Sequence, residues 1–244
     1  TLKRYLDWSA KFKINMIGFE LEDKFVYPTH PEIGAPGAFT SEELQEIVNY
    51  GLERYIQVVP VIQSPAHMAY VLKHPEFKEM RTSCSRCPDD GLNYQVCLCD
   101  ERSYELIFDM YRDVINATKG VDYFHVSTAE MYYAGICDKC EPPYKWEDLS
   151  AGSRESRSLA WVEFARRAHD FLKDNDRRML AWVEYPLLAK YISQLPPDII
   201  DGVYQGAAFV EAQKEIGMQG LIYVSLQGEE RLIPRNFAME GDPF

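Results

Sequence analysis

The sequence predicts an α/β fold built on parallel strands, and three observations carry that reading. Short runs rich in Val, Ile and aromatic residues alternate with longer segments whose apolar positions repeat at helical spacing. The 244 residues, 46% of them apolar, suffice for one barrel-sized core. Acidic, amide and aromatic residues recur just past the strand-like runs, where parallel α/β folds collect their chemistry.

Thr1 to Lys13 reads as helix, and because its first residues already look mid-helix, upstream sequence is expected to be missing. Ile14 to Leu21 reads as strand, followed by a polar, proline-rich loop through Pro36. Thr40-Ser-Glu-Glu43 is a capping box, with the Thr40 hydroxyl accepting from the third helical amide while Glu43 reaches back, so a helix should run to about Arg54. Ile56 to Ile62 is β-branched and reads as strand, and residues 76 to 100 form an irregular segment with four cysteines. Asp100 opens a helix whose Leu106, Ile107, Met110, Val114 and Ile115 share a face. Tyr123 to Glu130 is an apolar run that ends on a lone carboxylic acid. A helix from about Ser156 to Lys173 should bury Leu159, Val162, Ala165, Ala168, Phe171 and Leu172. The remaining expected units are strand Met179 to Glu184, helix Pro186 to Leu195, strand Ile199 to Tyr204, helix Val210 to Ile216 and strand Leu221 to Leu226. Alternation of this kind implies right-handed crossovers between six parallel strands. With no repeat or glycine-serine linker, residues 1–244 read as one domain.

The formal net charge of -12 disfavours a nucleic-acid partner, because a phosphate binder needs a basic surface. Hydrophobic runs such as Tyr55-Ile-Gln-Val-Val-Pro-Val-Ile62 are too short to cross a bilayer, so no membrane span is expected. No glycine-rich loop follows the first strand, which removes the main warrant for a dinucleotide or nucleoside triphosphate. Oligomeric state stays open.

At the strand ends stand Glu22 and Asp23, Gln63 and His67, Glu130, Trp182 and Glu184, Tyr204 and Gln205, and Gln227. Converging on one barrel mouth, they would form a polar pocket with aromatic walls, which suits a carbohydrate. Glu130, between apolar residues and Met131-Tyr-Tyr133, is the candidate catalytic acid, its surroundings expected to desolvate it. A salt-bridge or helix-start role is its bland alternative, and His125, inside the run, reads as a satisfied core histidine. The six cysteines form three close pairs. Cys84, Cys87, Cys137 and Cys140, as two C-x-x-C pairs, could hold a structural zinc, with disulfides or unbridged thiols as alternatives and Cys97 and Cys99 as spare ligands or an independent feature.

These residues resemble glycoside hydrolase family 20, the β-N-acetylhexosaminidases. The family's fourth-strand motif H-[IV]-G-G-D-E stands here as His125-Val-Ser-Thr-Ala-Glu130, its P-G-H as Pro65-Ala-His67, its L-[ST]-D-D as Leu21-Glu-Asp-Lys24, and its G-W-[DE]-E as Ala181-Trp-Val-Glu184. The resemblance implies a TIM (β/α)8-type barrel, here incomplete, with about six strands and the first and last units missing. It implies hydrolysis of β-linked N-acetylhexosamine or a related sugar, with Glu130 as general acid and base and no cofactor for catalysis. It also implies that Asp23 and His67 form a supporting pair, that Trp182 and Tyr204 wall the sugar, and that secretion or a periplasmic setting is the family habit, whereas a zinc tetrathiolate suits a reducing compartment. The family's acetamido-orienting aspartate is replaced by Ala129. Three explanations stand open: another carboxylate, Glu184 first and Glu22 second, takes over or acts as nucleophile; the substrate lacks an acetamido group; or the barrel binds sugar without cleaving it. A zinc shared by the loops after the family's third and fourth strands, which hold Cys84/Cys87 and Cys137/Cys140, would brace the rim near Glu130 and stay structural, since four thiolates leave no open coordination position.

Overall fold

All six apolar runs become strands, and they lie side by side in chain order. In the computed structural model, which describes residues 1–83, 94–138, 140, 151–203 and 207–222, these are β1 (Met16–Glu20), β2 (Gln57–Ser64), β3 (Tyr123–Ser127), β4 (Arg178–Ala181), β5 (Ile200–Val203) and β6 (Gln219–Ile222). Every neighbouring pair is parallel, in the order β1-β2-β3-β4-β5-β6. A parallel sheet in sequential order, with helices in the crossovers, curls into a half-barrel of the TIM type and brings all carboxyl ends to one face. Among the described residues, β1 and β6 each keep one unpaired edge.

The helices are α1 (Leu2–Lys11), α2 (Ser41–Leu52), α3 (Ala69–Leu72), α4 (Glu101–Asn116), α5 (Ala151–Asp174) and α6 (Ala207–Ile216). The capping box at α2 forms as its sequence dictates: Thr40 Oγ1 accepts from the Glu43 amide at 3.2 Å and the Glu43 carboxylate accepts from the Thr40 amide at 3.0 Å. All five periodic residues of α4, from Leu106 to Ile115, are buried. In α5 the buried stripe is shifted to include Ala160, Trp161 and Phe164, leaving Leu159 and Phe171 half-buried.

Elsewhere the structure departs from the periodicity. The expected helix from Pro186 to Leu195 is only a 3-10 segment, Ala189–Gln194. Leu195 precedes Pro196 and is held extended, which disfavours helix at that end, and Leu188 is extended at the other, so too few residues remain for an α-helix. In the segment after β2, the short α3 comes first, and a 3-10 stretch at Pro75–Met80 takes up the start of the irregular segment expected from residue 76. β6 starts at Gln219, and Tyr223 to Leu226 lie outside the described residues.

One core cluster lies between sheet and helices and includes Phe124, Val126, Trp161 and Phe164. A smaller one, of Leu6, Val48, Ile56, Val58, Val59 and Val121, joins α1 and α2 to the start of the sheet. Gly51 marks the closest approach there: an added Cβ would stand 2.7 Å from Val58 Cγ2 and 3.0 Å from the Ile56 carbonyl oxygen. Alanine ordinarily gains about 0.5–1 kcal/mol over glycine within a helix. At this position Gly51→Ala is expected to cost about 1–2 kcal/mol through overpacking, lowering the urea midpoint, and a raised midpoint would contradict the close packing.

Candidate active site

The site is built on the turn that leaves β3. Ser127, Thr128 and Glu130 all have positive φ, at 64°, 64° and 51°, so the strand ends before the acid and the chain turns back at the carboxyl edge of the sheet. Hydroxyl groups tie this turn to both neighbouring strands. Thr128 Oγ1 donates to the Trp182 carbonyl at 2.9 Å and accepts from the Trp182 amide at 3.1 Å. Ser127 Oγ donates to Gln63 Oε1 at 2.6 Å, and the Thr128 amide donates to the Ser64 carbonyl at 3.1 Å.

Glu130 projects from this turn with its side chain 50% exposed. Its Oε2 lies 3.0 Å from His67 Nε2, and its Oε1 accepts from the Tyr132 hydroxyl at 3.0 Å. Burial and the neighbouring Glu130 carboxyl push the Tyr132 phenol up to about 12, so it stays a donor. The expected desolvation of Glu130 is therefore not what the geometry gives. The desolvated carboxyl is that of Glu184, a residue only 4% exposed, whose Oε1 accepts from the Glu130 amide at 2.6 Å. Burial first, then the charges of Glu130 and Asp201, raise Glu184 to about 7, against the opposing pull of that amide.

A second buried acid stands behind it. Asp201, on β5, accepts from the Val183 amide at 2.7 Å and from Gln213 Nε2 at 2.5 Å, and burial raises it to about 6. Each acid thus holds an amide of the preceding strand's exit loop. Trp182, two residues before Glu184, is half-buried, its ring 5.0 Å from that of His125 and against Gly202, where a Cβ would meet the indole at 2.1 Å. His125 is a core residue, as its sequence position predicts. Its Nδ1 accepts from the Ser127 amide at 2.9 Å, and burial pushes the ring down to about 4, which keeps it neutral.

The other expected site residues divide. Gln63 is at the mouth, but its amide bridges Glu20 Oε1 at 2.7 Å and Ser127. Asp23 does not pair with His67: it binds Lys73 at 3.1 Å and Lys24, and these cations hold it below the usual carboxylate range. The physical reason is proximity, since Lys24 is adjacent in a 3-10 turn while His67 faces Glu130. Tyr204, Gln205 and Gln227, with Cys84 and Cys87, lie outside the described residues. Cys137 and Cys140 do not stand alone as the loop's sulfur pair: the Cys97, Cys99 and Cys140 sulfurs lie within 4.8 Å of one another, and Cys99 is joined to Cys140 as a disulfide. Glu20, Asp201 and Gln213 are not singled out by the sequence, and Tyr132 figures there only among the surroundings of Glu130, not as its hydrogen-bond donor. Only Asp201 carried a signal, an acid inside the apolar run Ile199-Ile-Asp-Gly-Val203, where burial demands a partner.

The model of glycosyl hydrolase family 20, catalytic domain, matches residues 1–225. Hexosaminidase D of Bos taurus is 30% identical over 150 residues, 61% of this chain and 41% of its own length. The beta-hexosaminidase of Porphyromonas gingivalis is 24% identical over 209 residues, 75% of this chain and 26% of its own. The chain thus spans less than half the length of these relatives. Among solved structures, the GH20 exo beta-N-acetylglucosaminidase from Vibrio harveyi in complex with N-acetylglucosamine superposes with a TM-score of 0.66 at 18% identity, covering 90% of this chain and 38% of that one. At that identity the match shows the fold.

The raised Glu184 has a measurable consequence. Between 4.5 and about 7 the folded state keeps a proton that the unfolded chain has released, so stability falls as pH rises through this window and the deficit is fully present above it. Glu184→Gln keeps an acceptor for the Glu130 amide and has no charge to bury. Relative to wild type it is expected to gain roughly 2–3 kcal/mol between about pH 5 and pH 8, as read by denaturant midpoints. Parallel pH profiles for the two proteins would rule out a buried, titrating Glu184.

Proposed function

The chain belongs to glycosyl hydrolase family 20, and on that premise we propose that it is part of a glycosidase acting on β-linked N-acetylhexosamine or a related sugar, with Glu130 as general acid and base. The observation that supports this reading is the pairing of an accessible Glu130 carboxyl with His67 at 3.0 Å, at the carboxyl ends of a parallel sheet. Glu130 protonates the departing glycosidic oxygen and then takes a proton from the incoming water. His67 and Tyr132 fix the orientation of its two oxygens. Trp182, half-buried at the same edge of the sheet, offers its indole to the apolar face of the sugar.

Glu184 fits a positioning role better than that of a nucleophile. It is buried, and the oxygen nearest the turn already accepts the Glu130 amide. The anomeric carbon is then attacked by the substrate's own acetamido oxygen, and the charge that develops on that amide meets the methyl group of Ala129 rather than a carboxylate. This one substitution also favours a second reading, a carbohydrate-binding barrel without hydrolysis.

Hydrolysis of an aryl β-N-acetylhexosaminide by the full-length protein separates the two. Under the first reading, Glu130→Gln lowers kcat by about 10²–10⁴-fold while sugar binding persists. Ala129→Asp, which places a carboxylate beside the acetamido group, is expected to raise kcat by at least about tenfold, a loss of more than ~1.4 kcal/mol from the barrier. No turnover by wild type or by Ala129→Asp, with sugar affinity intact in Glu130→Gln, would replace the enzyme by the binding barrel.

A further inference from the structure

Two loops meet on the same face of the sheet as Glu130, and their backbones hold them in register. In the segment that follows β2, Arg81 and Val96 form an antiparallel bridge, the Val96 amide donates to the Pro65 carbonyl at 3.0 Å and the Cys97 amide to the Met80 carbonyl at 2.7 Å. From the segment that follows β3, the Asp138 amide donates to the Ser83 carbonyl at 2.6 Å, and the Tyr133 amide to Gln95 Oε1 at 3.2 Å. These contacts bring Cys97 and Cys99 of one loop against Cys137 and Cys140 of the other. Cys97, Cys137 and Cys140 form a buried cluster of their own, and Cys99 is exposed at its edge.

We propose that in the reduced chain Cys97, Cys99, Cys137 and Cys140 hold one zinc ion as a closed tetrathiolate that ties the loop after β2 to the loop after β3. Zinc bound at about 2.3 Å by four sulfurs spaces them about 3.8 Å apart, and the Sγ atoms of Cys97, Cys99 and Cys140 already lie within 4.8 Å of one another. Cys137 joins them through the C-x-x-C spacing, the Cys140 amide donating to the Cys137 carbonyl at 2.9 Å. The Ser83 amide donates to Cys137 Sγ at 3.3 Å, the kind of contact that stabilises a metal-bound thiolate from outside the coordination shell. The Cys99–Cys140 disulfide is the oxidised form of the same cluster. A phosphine reductant and water supply the two electrons and two protons that open it to two thiols, the phosphine becoming its oxide, and zinc binding then releases the thiol protons. Four thiolates leave no position for water, so the ion is structural. The inference stands apart from the glycosidase reading, and its readouts do not depend on turnover.

Full-length protein is reduced with a phosphine, incubated with zinc sulfate, dialysed and assayed by elemental mass spectrometry. One zinc per chain is expected in wild type and in the Cys84→Ser/Cys87→Ser double variant, and less than a tenth of that in Cys97→Ser and in Cys140→Ser. Cobalt loading of reduced wild type, which does not depend on any variant folding, is expected to give thiolate-to-cobalt charge transfer and intense tetrahedral ligand-field bands. Metal-free wild type, full retention in Cys97→Ser or Cys140→Ser, loss in the Cys84→Ser/Cys87→Ser variant, or a cobalt spectrum without thiolate charge transfer would each overturn the assignment.

Discussion

The hydrogen bond between the buried Glu184 carboxyl and the Glu130 amide is the constraint on which the arrangement of the site depends. Glu130 is not part of a strand, and nothing in the ladder of the sheet fixes it. Its backbone has positive φ, its side chain is half exposed, and its direction follows from the turn that carries it. An acceptor placed under that turn by the next strand converts a flexible exit into a fixed one, at the cost of desolvating a carboxyl.

The cost is spread along the sheet. Asp201 on β5 holds Val183, the residue before Glu184, and Gln213 on α6 holds Asp201. Reading backwards from α6, each buried polar group fixes the loop of the preceding strand, until the chain of contacts reaches Glu130. Two acids raised by burial therefore sit beneath an acid that solvent can reach. Both are satisfied by amide donors, which is what allows polar groups to persist in the interior.

The β3 exit shows how this chain solves a backbone problem with side-chain chemistry. The two positions that the family motif gives to glycine are Ser127 and Thr128, and both adopt the left-handed region that costs an L-residue about 1–2 kcal/mol. Glycine would avoid that cost and leave the turn with fewer anchors. Here the Ser127 and Thr128 hydroxyls bond Gln63 and Trp182, so that the strain is offset by ties to the strands on both sides. Trp182 is held in turn at its backbone by Thr128 and at its ring by the bare surface of Gly202.

The sequence by itself determined what depends on local pattern. Period-3.6 and β-branched runs marked the principal helices and six strands, their alternation implied parallel pairing, and Thr40-Ser-Glu-Glu43 specified its own cap. It also pointed to Glu130, because a lone acid at the end of an apolar run is a local signal. What only the tertiary structure decided is which acid is dry, whom Asp23 and His67 contact, and which cysteines meet. Glu184 and Glu130 are 54 residues apart, and Cys99 and Cys140 are 41 apart. Burial and partnership at such separations are set by how strands and loops stack in space, a quantity that no window along the chain contains.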